Sequence, residues 1–535
     1  MTDGAKDFAA EIGVAYATNG AAIELGQGVY EEKLYPEAKV RIPLAMMNRH
    51  GLIAGATGTG KTVSLRVVAE QLSDAGVPVF LADVKGDLAS MVSPGEASGA
   101  IGKRAGELGI DFQPAGYPVE FLSLGGIGPG VPVRATVSDF GPTLLAKVLE
   151  ANETQADSLA LVFRYADEKG LALLDLADLR ALLTFLDSDE GKAELKGIGG
   201  LSSATVGVLL RSLVKLEDGG GDQLFGEPMF EIADLIRTAP DGRGVVSILE
   251  LAALQRQPAL FSTALIWMVG ELFESLPEVG DPEKPVLAFF LDEAHLLFSG
   301  ATDGFLDAVT QTVRLIRSKG VGIYFITQGP TDIHEDVLAQ LGSRIQHALR
   351  AFTPNDKKAL KATADTYPTS DFYDVEELLT STGIGEAAVT LLSEKGVPTP
   401  VVHTRMLPPR SLLGAGPDVD AAAQASPLWP KYGTAVDNHS AREILAERLN
   451  GGEASTAEPQ PAAEPQREDE PSRGAKPNGP EAKAPKQPKQ KAGKSDSATW
   501  EIAEDVISTL TPRGKKSTAR SVTRLLRGVL GNRSR

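Results

Sequence analysis

Eight consecutive residues, Gly55-Ala56-Thr57-Gly58-Thr59-Gly60-Lys61-Thr62, carry the densest chemical signal in the chain. They fit the spacing Gly, four residues, Gly, Lys and Ser or Thr. Glycines allow backbone N–H groups to turn inward and cradle phosphate oxygens at a helix N-terminus. Lys61 would reach the β- and γ-phosphates of ATP, and the Thr62 hydroxyl would ligate Mg2+. A chain with 56 glycines can produce such a string by chance. An apolar strand before it and a helical run from Val63 to Leu72 after it make a chance turn a poor account.

A second signal is the apolar run Val286–Leu291 ending in Asp292-Glu293. Asp292 would hold the Mg2+, directly or through water, and Glu293 would orient and deprotonate an attacking water. Two solvated acids at a strand end are common alone, and the phosphate loop upstream tilts the balance to chemistry. Ala294-His295 completes a string that names one helicase group, but none of that group's other motifs is evident, so His295 reads as a helix-start residue.

The third candidate is Gln328, at the tip of the strand Gly322–Ile326. A side chain that both donates and accepts hydrogen bonds there suits a sensor of the γ-phosphate and the attacking water. Arginines matter because a guanidinium from a neighbouring subunit stabilises charge on the transferring phosphoryl. Arg314, Arg317 and Arg344 are the candidates, and Arg317, just before Lys319-Gly320, is the strongest of the three. Asp83-Val84-Lys85-Gly86-Asp87 closes another strand. Its carboxylates fit a site at the sheet edge and a helix cap through Asp87 equally well.

These residues need a scaffold that gathers strand ends. Gly51–Ala54, Val79–Ala82, Val245–Leu249, Val286–Leu291, Ile323–Ile326, Ile345–Phe352, Val389–Leu392 and Val401–Val402 read as strands without alternation. Such runs predict an α/β core with a mostly parallel sheet, covered on both faces. Between the second and third, residues 139–240 carry apolar residues at three- and four-residue spacing, which predicts a helical insertion. Residues 1–50 hold short alternating stretches, including Ile12–Ala15, and read as a short β-rich lead-in to a core over 51–411.

Residues 412–498 read as a linker, largely disordered. Residues 451–498 hold eight prolines, eight basic and eight acidic residues and no aromatic, too little apolar surface to offset ordering. From 499 to 535 two amphipathic helices are expected, with eight basic and three acidic residues.

Composition closes off several classes. The 535 residues contain no cysteine, which excludes disulfide scaffolds, thiolate metal sites and cysteine nucleophiles. The net charge is −18. It divides unevenly, with 37 basic against 60 acidic residues over 1–450 and 16 against 11 over 451–535. The longest apolar runs fall far short of the ~20 residues a bilayer helix needs. No export signal opens the chain, so a cytoplasmic protein without integral membrane contact is expected. The basic end would bind an anionic partner or the chain's own acidic body.

The motifs together resemble those of the HerA-like ATPases of the FtsK–HerA superfamily, ring-forming DNA motors with RecA-like cores. The resembling strings are Arg49 to Thr62, Asp83 to Asp87, Leu291 to His295, and Arg314 to Gly320 leading to Thr327-Gln328. The resemblance covers about residues 10–410 and implies a RecA-like additional-strand P-loop core that uses ATP and Mg2+. It further implies a homo-oligomer, usually a hexameric ring with Arg317 reaching the neighbouring site, acting on duplex DNA. Two departures are visible: about 50 N-terminal residues are short for the family's barrel, and no strongly basic pore loop stands out. A pump or remodeller of protein, or a nucleotide-binding scaffold recruiting partners through its tail, are the alternative readings.

Overall fold

The computed structural model describes residues 3–197, 199–298 and 303–449. Twelve strands form one sheet: β1 (Ala22–Tyr30), β2 (Lys33–Pro43), β3 (Gly51–Ala54), β4 (Val79–Asp83), β5 (Val119–Leu124), β6 (Val131–Val133), β7 (Val246–Glu250), β8 (Leu287–Leu291), β9 (Val321–Thr327), β10 (Ser343–Gln346), β11 (Glu386–Thr390) and β12 (Val402–Met406). Their order is β2-β1-β12-β11-β10-β3-β9-β8-β4-β7-β5-β6. From β10 to β6 every neighbour runs parallel, and β11, β12, β1 and β2 extend that sheet antiparallel.

The helices in chain order are α1 (Asp3–Ala15), α2 (Lys61–Asp74), α3 (Gly99–Leu108), α4 (Val137–Val148), α5 (Glu153–Lys169), α6 (Leu176–Asp187), α7 (Asp189–Leu195), α8 (Ser203–Asp218), α9 (Gly221–Leu224), α10 (Pro258–Ser275), α11 (His295–Phe298), α12 (Asp303–Ile316), α13 (Glu335–Leu338), α14 (Pro354–Ala364), α15 (Val375–Ser381), α16 (Val419–Gln424), α17 (Trp429–Tyr432) and α18 (Ala441–Leu449).

Every residue of β3, β4, β7, β8 and β9 is buried, as expected of parallel strands covered on both faces. Successive side chains serve opposite layers. Phe80 and Phe289 stack at 4.1 Å in the layer under α10, α12 and the helices from α4 to α8. Phe290 and Tyr324 stack at 4.8 Å in the layer under α1 and α2. The helices between β6 and β7 fill the expected insertion and start with strong caps. Asn152 with Gln155 opens α5, and Asp175 with Asp178 opens α6, each satisfying N–H groups that a helix start leaves over.

Five expectations need correction. Ile12–Ala15 is the end of a helix, not a strand, because Phe8 and Ile12 lie on one helical face and bury themselves against the β1–β2 hairpin layer. The lead-in is not a separate unit either, since β1 pairs with β12. The strand expected over Ile345–Phe352 stops at Gln346; His347 and Ala348 instead exchange backbone hydrogen bonds with Ala54 and Ala56. Two strands, β5 and β6, stand where none was expected.

The fifth correction concerns 412–449, expected as linker. Tyr432 is fully buried, donating to Asp234 at 2.6 Å and stacking near Phe230. Farther on, α18 lies against α6, with Ser440 donating to Asp178 at 2.5 Å. The remainder of the expected linker and the two basic helices lie outside the described residues. Among the described residues no helix is long and apolar enough to cross a membrane.

Candidate functional site

The carboxyl ends of β3, β9, β8, β4 and β7 meet at one sheet edge, and the candidate residues hang from them. The loop after β3 needs its glycines. A β-carbon on Gly55 would lie 2.5 Å from that of His347, and Gly60 has φ 119 with the backbone of Gly385 pressed against it. No side chain caps the start of α2, so its first N–H groups stay available to an anion. Lys61 folds over the loop and donates to the carbonyls of Gly55 at 2.6 Å and Ala56 at 3.2 Å. Burial, then the Lys85 charge, lowers its pKa from the usual lysine value.

β9 lies between β3 and β8, pairing Ala54 with Thr327 and Leu291 with Phe325. The carboxylates Asp292 and Glu293, at the end of β8, therefore stand two strands away from the phosphate loop, with Gln328 at the tip of the strand between them. Glu293 adopts a left-handed φ of 48°, a conformation that costs an L-residue roughly 1–2 kcal/mol. The strained turn is fixed by Ala294 N–H donating to Ile326 at 2.9 Å. Burial raises Asp292 above the ordinary aspartate range, with Lys85 opposing it.

Several residues beyond the sequence candidates complete the edge. Lys85 Nζ sits 2.8 Å from Glu293 Oε1 and 3.2 Å from Asp292 Oδ2. Burial pushes its pKa down, but the two carboxylates outweigh that and raise it. Asp332 accepts from Thr327 Oγ1 at 2.9 Å and from Gly329 N–H at 2.8 Å, which shapes the loop behind Gln328. His347, fully buried, bridges Ser64 at 3.0 Å and the Glu386 carbonyl at 2.7 Å. Burial lowers its pKa to about 4, which keeps the ring neutral at pH 7. No short motif marks these three; only Lys85 lies within a string, Asp83–Asp87, that the sequence singles out.

Asp83 resolves its two readings toward local structure. Its buried carboxylate accepts from the N–H groups of Lys85, Gly86 and Leu88 at 2.7–3.1 Å. Asp87 caps nothing, as the turn Ala89–Val92 has no side-chain cap.

The arginines are not drawn to this edge within one chain. Arg317 lies before β9, at the sheet edge opposite the phosphate loop, 3.4 Å from Asp281. Arg314 is exposed near the end of α12. Arg344, within β10, donates to Thr366 Oγ1 at 2.7 Å and covers the Tyr367 ring. His295 begins α11, as expected, with Nδ1 3.3 Å from Glu293.

Thr62 and Asp292 supply hard oxygen donors of the kind Mg2+ takes. Among the described residues no group of three or more His, Cys, Asp or Glu could hold a metal by itself.

A parallel sheet with the phosphate loop on a central strand, a carboxylate pair two strands away and an extra strand between them defines a RecA-like P-loop ATPase core of the additional-strand type. The helicase HerA-like C-terminal family matches residues 30–535, and the chain belongs to it. The DNA double-strand break repair helicase HerA of Sulfurisphaera tokodaii is 22% identical over 378 residues, 66% of this chain. The matched part spans 64% of that relative's length. The bacterial conjugative coupling protein TrwBdeltaN70 superposes with a TM-score of 0.50 at 15% identity, covering 76% of this chain and 94% of its own. TrwB in complex with the ATP analogue ADPNP gives a TM-score of 0.48 at 17% identity over 75% and 98%.

Proposed function

We propose that this protein binds ATP with Mg2+, hydrolyses it, and works in the cytoplasm as an oligomeric ring that moves duplex DNA. The observation that carries the hydrolysis is the placement of Glu293 and Asp292 across β9 from the Lys61 loop. The loop N–H groups and Lys61 bind the phosphates, once Lys61 leaves the carbonyls it now holds. Thr62 and Asp292 would hold the Mg2+, which neutralises phosphate charge when bound. Glu293 takes a proton from the attacking water, and Gln328 holds that water and the γ-phosphate in line.

The ring rests on Arg317. Its position far from its own phosphate loop suits delivery to a neighbour's site, as a finger in trans requires; Arg344, already engaged with Thr366, suits it less. The DNA substrate is supported by membership of the HerA-like family and by the name of the curated relative. The acidic excess over residues 1–450 favours a second reading, a motor acting on protein, because phosphate binding draws on clustered cations. The deciding experiment is the ATPase rate with and without duplex DNA, on protein whose oligomeric mass is measured in the same buffer. Stimulation of an assembled ring supports the DNA motor, and an assembled ring indifferent to DNA rejects it.

A further inference from the structure

Lys85 has no part in the roles assigned above, yet it is the cation nearest both carboxylates. The sheet puts it there. β4 and β8 are neighbours with Ala82 opposite Leu291, so the turn after β4 opens beside Asp292. That turn is held on three sides: Asp83 binds three of its N–H groups, Gly86 takes φ 73, and Gln255 donates to the Val84 carbonyl at 2.7 Å. The Lys85 stem therefore leaves a fixed base, and its ammonium bridges Glu293 at 2.8 Å and Asp292 at 3.2 Å.

An ammonium between two carboxylates offsets part of the negative charge that a divalent cation would otherwise neutralise. Asp292 Oδ2 cannot serve a metal fully while it accepts from Lys85. The Glu293 contact is the shorter of the two, and Glu293 has a left-handed backbone that fixes its origin. Resting on the ATPase reading, we propose that Lys85 is a positioning residue: it holds the Glu293 carboxylate toward the water site and yields Asp292 to Mg2+ when nucleotide enters. Metal entry is then an exchange of one cation for another on Asp292.

The test uses the full chain and two readouts. A fluorescent non-hydrolysable ATP analogue is titrated with Mg2+ to find the metal midpoint, and ATP turnover gives kcat and KM. In Lys85→Met the competitor is gone, so the midpoint falls about threefold to tenfold. Glu293 loses its anchor, so kcat falls about 10- to 100-fold while KM changes little. Lys85→Arg, which keeps a cation, returns the midpoint toward the parent. A midpoint in Lys85→Met equal to the parent's overturns the exchange. A kcat loss that multiplies with that of Glu293→Gln, instead of being absorbed by it, overturns the positioning role. If Lys85→Met melts below the parent, Lys85→Gln is read by the same criteria. Absence of Mg2+-dependent analogue binding by the parent overturns the ATPase reading itself, a result distinct from either failure.

Discussion

Gly385 donates its N–H to the carbonyl of Thr59 across 3.0 Å, and its α-carbon would lie 3.3 Å from any β-carbon placed on Gly60. The turn before β11 thus forms one wall of the phosphate loop. Arg104 clamps that wall, donating to the carbonyls of Gly385 at 2.7 Å and Ile384 at 3.0 Å. Next to it Glu386 is held at about 2, since hydrogen bonds from His403, Gly383 N–H and Arg405 outweigh the effect of burial. Gly385 has φ 71, and a β-carbon there would sit 2.8 Å from the Arg104 guanidinium. Gly385→Ala should cost about 1–2 kcal/mol and weaken nucleotide binding about fivefold to tenfold. Fluorescent-nucleotide titration beside a thermal melt checks this, and parent affinity would detach the wall from the site.

Lys61→Ala should abolish ATP turnover, because the cation that lies on the loop carbonyls is removed. Turnover at the parent rate would remove the phosphate-loop assignment.

Glu293→Gln should leave nucleotide binding near the parent value and slow turnover on the order of 10²–10⁴-fold, the range for loss of a general base. Single-turnover hydrolysis on pre-bound ATP separates the two. Unaltered turnover would show that the base lies elsewhere.

Glu250, buried at the tip of β7 beside Asp83 and Asp87, is raised to about 7 by burial first and those two charges second. One of its oxygens has no hydrogen-bond partner among the described residues. An acid raised in the folded chain binds a proton there that the unfolded chain has released. Stability therefore falls as pH rises from the ordinary glutamate range to about 7, by about 3 kcal/mol at most. Glu250→Gln should raise the melting temperature at pH 8 by a few degrees and change it little at pH 5. Equal effects at both pH values would contradict the assignment.

A chain ending at residue 450 should keep its ATPase activity, since every site residue precedes that point. A chain ending at 411 should melt far lower. It loses Tyr432, whose removal costs about 3–5 kcal/mol by analogy with large aromatic truncations, and it strips Ser440 and the Arg442 N–H from Asp178. Melting curves of the two truncations decide.

What could be read from sequence was what is local. The phosphate loop and the Asp292-Glu293 pair are contiguous, so spacing alone carries them. The inserted strand was legible because it is a buried apolar run ending in polar residues. Lys85, Asp332, His347 and Gly385 come from four separate segments, and only strand order brings them to one edge. Helix α1 was misread because Ile12-Gly13-Val14-Ala15 is apolar at every step and carries no period of its own. The segment from 412 to 449 was missed because α16 and α17 are too short for periodicity, and its order rests on tertiary partners such as Asp178 and Asp234.

That segment has two moorings. At one end Glu70, on the helix that begins at Lys61, accepts from the N–H groups of Arg410 at 2.7 Å and Ser411 at 3.0 Å. At the other, Ser440 and Arg442 hold Asp178 on α6. The chain between is pinned midway by Tyr432. One stretch of backbone thus ties α2, the helix that follows the phosphate loop, to α6 in the helical layer on the opposite face of the sheet.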